Sequence, residues 1–172
     1  MSKVLIAYFS HVGETYMEGK IVTMDHGNTE IVAEKVRALL PDADLFRIET
    51  VEPYPSGYLQ CVERAKTEFA ANARPELKSK VENLEQYDTV VLGYPNWHGT
   101  MPMAVFSFLQ HNNMRGKTII PFCTNEGGGM GNSEADLKKM CRGSKIKDGT
   151  PIHGTDAAKA DAEAESIAYM AK

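Results

Sequence analysis

Apolar residues along the chain alternate between short unbroken runs and longer stretches with helical spacing. Lys3 to Phe9 (KVLIAYF) is a continuous apolar run ending at Ser10, the pattern of a strand covered on both faces. From Asn28 the period changes: Val32, Val36, Leu39 and Leu40 fall on one side of a helix that Pro41 and Asp42 stop. Asp44 to Glu49 (DLFRIE) reads as a second strand, followed by a turn-rich passage through Pro53, Pro55 and Gly57. Tyr58, Val62, Ala65 and Phe69 then share a helical face, Ala73 to Pro75 close that helix, and a polar connection runs through Glu85.

The alternation continues to the end of the chain. Asp88 to Tyr94 (DTVVLGY) is a buried-type strand, Met101 to Leu109 an apolar helix and Lys117 to Thr124 (KTIIPFCT) a fourth strand. Ser133 to Cys141 reads as a helix with Ser133 as its N-cap. Ile146 to Gly154 is a weaker fifth strand, whose polar residues and Pro151 place it at a sheet edge. Thr155 to Lys172 is an Ala- and Glu-rich helix that packs through Ala160, Ala164 and Ile167. Five such alternations predict an α/β fold: a doubly wound, five-stranded parallel sheet inside a three-layer αβα sandwich, one domain over residues 1–172.

Composition narrows the classes. At 172 residues with 42% hydrophobic and 24% charged residues the chain is that of a soluble globular protein, long enough to bury about two-thirds of its unfolded surface. A formal charge of −4 argues against a nucleic-acid partner, and the cluster Lys138, Lys139, Arg142, Lys145 and Lys147 reads as a solvated helix face and turn. Cys61, Cys123 and Cys141 form neither a disulfide framework nor a zinc motif and read as buried thiols in a reducing compartment. Met1 to Phe9 carries one Lys and no small-residue cleavage site, and no stretch approaches the ~20 apolar residues of a membrane span, so the expectation is a cytoplasmic protein without a membrane partner.

In a doubly wound sheet, ligands bind outside the carboxyl ends of the strands where strand order reverses. The loops after the first, third and fourth strands therefore carry the chemistry. The first runs from Ser10 to Gly27-Asn28-Thr29 at a helix start, where free amides form an anion site; Ser10, Asn28 and Thr29 suit a phosphate cradle, and plain N-capping is the competing reading. The second, Tyr94-Pro95-Asn96-Trp97-His98-Gly99-Thr100, holds the only Trp, either a stacking wall for a planar ligand or a ring folded on the surface. The third, Thr124-Asn125-Glu126-Gly127-Gly128-Gly129-Met130-Gly131-Asn132, brings backbone close to a ligand or is a flexible connector. Only the ligand readings explain why all three fall at one crevice.

Other chemistries fail on spacing. Counted from Gly13, Gly19 comes one position too late for a P-loop, with Ile21 where its hydroxyl belongs, and Gly116-Lys117-Thr118 is preceded by His111 instead of the leading Gly. GxSxG and GxGxxG are absent, and an aspartyl phosphoacceptor would need an acidic residue where Phe9 and Ser10 stand. The five histidines lack helical HxxxH spacing, so no metal site and no catalytic side chain is expected.

Through YFSH and GNT around the first helix, GYPNWHGTMP after the third strand and FCTNEGGG after the fourth, nearly the whole chain resembles the flavodoxin-like family. The resemblance implies strand order 2-1-3-4-5 and FMN as cofactor. It places the FMN phosphate at Ser10, His11, Val12, Asn28 and Thr29, and the isoalloxazine between Pro95, Asn96, Trp97, His98, Gly99 and Thr100 on one side and Thr124, Asn125, Gly127 and Gly128 on the other. It also implies that the peptide near His98 and Gly99 reorients to accept a hydrogen bond from reduced flavin. Two features depart from the family pattern: Gly13 to His26 interrupt the phosphate loop, read as an excursion that leaves the cradle intact, and −4 is a weak charge for an acidic carrier. The implied function is FMN-dependent electron transfer between redox partner proteins or small quinone-like acceptors, by a monomer or homodimer. An NAD(P)H-dependent quinone or FMN reductase and a flavin-free interaction domain are the alternatives.

Overall fold

The computed structural model describes residues 3–172; Met1 and Ser2, the start of the N-terminal run, lie outside the described residues. In chain order the elements are β1 (Val4–Tyr8), β2 (Gly13–Met17), β3 (Lys20–Met24), α1 (Asn28–Leu39), β4 (Asp44–Arg47), α2 (Tyr58–Ala70), β5 (Thr89–Pro95), α3 (Met103–His111), β6 (Thr118–Asn125), α4 (Ser133–Met140), β7 (Lys145–Ile146), β8 (Thr150–His153) and α5 (Asp161–Ala171). Short 3₁₀ turns lie at Leu84–Gln86 and Gly154–Lys159.

The main sheet is parallel, in the order β4-β1-β5-β6, with β7 and β8 both paired to the far side of β6. Counting only these parallel positions, the order is 2-1-3-4-5, as the family resemblance implies. Alternation along β1 divides the core: Val4, Ile6 and Tyr8 join Val32, Val36, Ala164 and Ile167 of α1 and α5 on one face. Leu5, Ala7 and Phe9 join Ala104, Val105, Phe108 and Leu137 of α3 and α4 on the other. Both faces of the sheet are covered, which is why its strands read as unbroken apolar runs.

Three expectations need correction. The strand expected over Ile146 to Gly154 is instead two short strands, β7 and β8, and at the break between them the Gly149 amide donates to Glu134 Oε2 at 2.9 Å. Pro151 sits in the second piece, paired to Cys123 on an edge where no further strand needs its amide. The helix read over Thr155–Lys172 begins as a 3₁₀ segment through Lys159 and becomes α-helical only at Asp161. Ser133 is the first residue of α4, not its cap, which falls at Asn132: its hydroxyl donates to Met130 O at 2.6 Å and accepts from the buried Tyr94 hydroxyl at 2.9 Å.

Gly13–His26 folds largely as an antiparallel hairpin, β2 against β3, separate from the main sheet. Its two-residue turn, Glu18-Gly19, has φ of 49° and 80°, the left-handed pair that matches strand twist in a tight hairpin.

Within the sheet, the Phe122 ring lies where a side chain on Gly93 would project. Gly93→Ala is expected to lower stability by about 1–3 kcal/mol through overpacking, read as a shift in the urea midpoint.

Candidate functional site

Parallel pairing brings the ends of β1, β5 and β6 to one edge, and hydrogen bonds lock their loops together there. Ser10 Oγ accepts from the Glu30 amide at 3.2 Å, so the end of β1 caps α1 from outside the helix. The cap position itself is Gly27, which offers no side-chain bond, and any side chain there would strike Ser10 Oγ and His11 O. Neither Asn28 nor Thr29 is the N-cap. Their amides are the first two of the helix and have no intrahelical acceptor, so they face outward with partial positive charge.

Thr29 and Thr124 hydroxyls bond each other at 2.8 Å, tying α1 to the end of β6. Two hydroxyls sharing one bond use one proton, which leaves the second to donate elsewhere. Asn96 braces the other two loops: its amide nitrogen donates to Gly129 O at 3.0 Å and its backbone amide to Thr124 O at 2.8 Å. Asn96 Oδ1 accepts from the Gly99 amide at 3.0 Å, and Gly99 O accepts from Asn132 N at 2.6 Å. Any reorientation of the His98–Gly99 peptide therefore has to break the Asn96 bond.

These loops enclose a cavity of about 330 Å³, at the lower end of the range for small-molecule sites. Ser10, His11, Asn28, Thr29, Pro95, Asn96, Trp97, His98, Thr124 and Asn125 all line it. Five other expected site residues do not. Val12 borders a separate cavity with Arg47 and Tyr54; Thr100 is buried with its hydroxyl on Asp136 Oδ2. Gly99 stands with Thr100 beside a third cavity at Phe69 and Met103, and Gly127 and Gly128 lie exposed beyond the Asn96 brace.

Trp97 is held edge-on by Phe9 and Tyr54, each with its ring centre 5.2 Å away. His11 Nε2–H donates to Pro55 O at 2.8 Å, which fixes the ring at the cavity edge. The hairpin and α2 supply lining residues that sequence reasoning missed, Glu14, Thr15, Tyr16, Tyr58 and Cys61. Val62 and Ala65, read with Tyr58 and Phe69 as one face of a helix, line the cavity as well. Helical spacing marks a covered face without saying what covers it.

Charge in the cavity is acidic. Glu14 and Glu126 line it, and among the described lining residues none is Lys or Arg. Burial raises the Glu126 carboxyl above its usual range and Glu18 adds to this, against His153, whose Nε2 lies 3.2 Å away. The nearby cation Arg47 is committed to Glu30 at 2.7 Å and to Ser10 O at 3.4 Å. Burial, and secondarily Glu30, push the Tyr8 hydroxyl in this cluster up to about 12.

A family model described as flavodoxin matches residues 3–164. The chain belongs to the flavodoxin family. Among solved structures this flavodoxin-family chain resembles a candidate flavoprotein from Bacteroides eggerthii DSM 20697, with 33% identity, a TM-score of 0.75, and 98% of this chain and 99% of that one covered. A candidate flavoprotein from Bacteroides uniformis ATCC 8492 shares 24% identity at a TM-score of 0.74, covering 95% and 98%. A flavoprotein from Lactobacillus acidophilus NCFM, solved in complex with FMN, shares 19% at a TM-score of 0.64, covering 92% and 98%. No curated protein matches the chain.

All three cysteines of this flavodoxin-family chain are buried, and burial raises each thiol: Cys61 to about 11, Cys123 to about 12 and Cys141 to about 11. Deprotonation is thereby suppressed at neutral pH even at Cys61, which borders the cavity. In the native protein at pH 8 a disulfide thiol reagent is expected to react with none of them within minutes, and with three per chain in guanidinium; rapid native labelling at Cys61 would contradict this burial.

Proposed function

We propose that this chain binds FMN non-covalently and serves as an electron carrier between redox partners. The observation that carries the reading is the neutral anion cradle at the start of α1: two outward amides, Asn28 and Thr29, beside the Ser10 hydroxyl and the spare Thr29–Thr124 proton. That donor set suits a phosphate monoester, and the same cavity continues to Trp97, a wall for a planar ring. When bound, FMN supplies the electron chemistry.

This chain's residues hold and orient the cofactor. Asn28 and Thr29 take the phosphate, with Ser10 and His11 beside it. Pro95, Asn96, Trp97 and His98 form one side of the ring site and Thr124 and Asn125 the other. The Asn96 and Thr29–Thr124 braces fix these groups beforehand, so little ordering remains for binding. The FMN complex of the Lactobacillus relative supports the cofactor through a shared fold.

Cavity charge favours a carrier over an NAD(P)H reductase. A dinucleotide brings further phosphates, and the lining offers Glu14 and Glu126 in place of any Lys or Arg. The expected outcome is that FMN titrated into the protein gives a perturbed flavin spectrum, and that neither NADH nor NADPH, added anaerobically in separate cuvettes, bleaches it rapidly. Rapid bleaching by either nucleotide would establish the reductase reading instead. A colourless protein that ignores FMN would leave a flavin-free interaction domain.

Asn28→Pro, which deletes the first amide at a helix position that proline tolerates, and Thr29→Val, which deletes the hydroxyl that shares its proton with Thr124, should each weaken FMN binding about tenfold or more, since a hydrogen bond to a charged group contributes about 1.5–3 kcal/mol. Wild-type affinity in both variants would remove the cradle assignment.

A further inference from the structure

The hairpin β2–β3 contributes no residue to either hydrophobic core among the described residues, yet it is fastened at several points to the cofactor site. Its first residue, Gly13, has φ +120°, and a Cβ there would lie 2.6 Å from Ser56 O, so only glycine permits this approach. The Glu14 amide donates to that same Ser56 O at 2.7 Å. Glu14 Oε1 accepts from the Tyr58 amide at 3.1 Å, a carboxylate placed at the start of α2, where the helix dipole favours it. At the far end of β2, Asn28 Nδ2 donates to Met17 Sδ at 3.6 Å. The hairpin is thus anchored to α2 at one end of β2 and to the helix start of the anion cradle at the other.

Between those anchors, Glu14, Thr15 and Tyr16 line the cavity in succession. Tyr16 lies beside Tyr58, ring centres 6.3 Å apart and tilted by 36°. The Tyr16 residue is nevertheless 44% exposed, an aromatic surface at the cavity rim that the protein itself leaves uncovered. Its cross-strand partner Ile21 is itself 51% exposed.

Resting on the FMN reading above, we propose that the hairpin is a fixed side wall of the cofactor cavity, latched by Glu14, and that its Tyr16, backed by Tyr58, packs against bound FMN and slows release. Glu14 is a positioning residue in this account, because it acts by holding Tyr16 in place. The hairpin then sets how long the cofactor stays, while the cradle at α1 sets where its phosphate sits.

FMN release tests this directly. FMN-loaded protein is mixed in a stopped-flow instrument with excess of an FMN-trapping apoflavoprotein, and the flavin signal is followed. Tyr16→Ala should release FMN about tenfold faster, the change that ~1.4 kcal/mol of ring packing gives, with little change in association rate, while Tyr16→Phe keeps the wild-type rate. Glu14→Ala should speed release similarly, and Glu14→Gln, whose side-chain oxygen still accepts from the Tyr58 amide, should restore it. An unchanged urea midpoint for Tyr16→Ala separates lost packing from lost folding. Wild-type release from a folded Tyr16→Ala protein would overturn the wall while leaving FMN binding intact, whereas wild-type protein that binds no FMN would overturn the reading on which the wall rests.

Discussion

Parallel pairing of β1 with β4 on one side and β5 on the other is the constraint from which the rest follows. Because strand order reverses at β1, the connections leaving it and leaving β5 go to opposite faces and part at the sheet edge. The gap between them is where α1 begins, with its first amides directed outward, and β6 delivers Thr124 to the same place. A sheet that did not reverse there would carry both connections over one face and close the gap between Ser10, Thr29, Trp97 and Thr124.

An anion site without a cation needs rigidity in exchange. Amides and hydroxyls carry only partial charges, so they must be aimed beforehand and some of their protons left free to donate. The structure meets both conditions: Ser10 braces the third amide of α1 and leaves the first two free, the paired threonines keep one proton in reserve, and Arg47 is held by Glu30 behind the helix start. Glu14 and Glu126 make the lining acidic, which under the proposed function favours a ligand with one phosphate, placed at the cradle, over one carrying several.

Much of this was readable from the chain. The apolar runs at 3–9, 88–94 and 117–124 fixed the buried strands because both faces of the sheet are covered, and the loops after them were the ones that meet. Cavity lining was less readable where two roles share one pattern: Val62 and Ala65 repeat with helical spacing whether a core or a ligand covers them. The hairpin had a local signal, Thr15-Tyr16 and Ile21-Val22 on either side of Glu18-Gly19, but its attachment to α2 depends on Ser56 and Tyr58, more than thirty residues away. Ser133 failed as a cap for a similar reason: the buried Tyr94 hydroxyl claims it across the fold, and local pattern carries no trace of that.

Amide chemical shifts recorded on the isotopically labelled protein before and after FMN is added test the central claim most directly, since they report each loop separately. The account predicts large shifts confined to residues 10–16, 28–30, 58–65, 96–98 and 124–126, together with the indole N–H of Trp97, and small ones at the opposite ends of the strands. Shifts centred elsewhere, or none at saturating FMN, would contradict it.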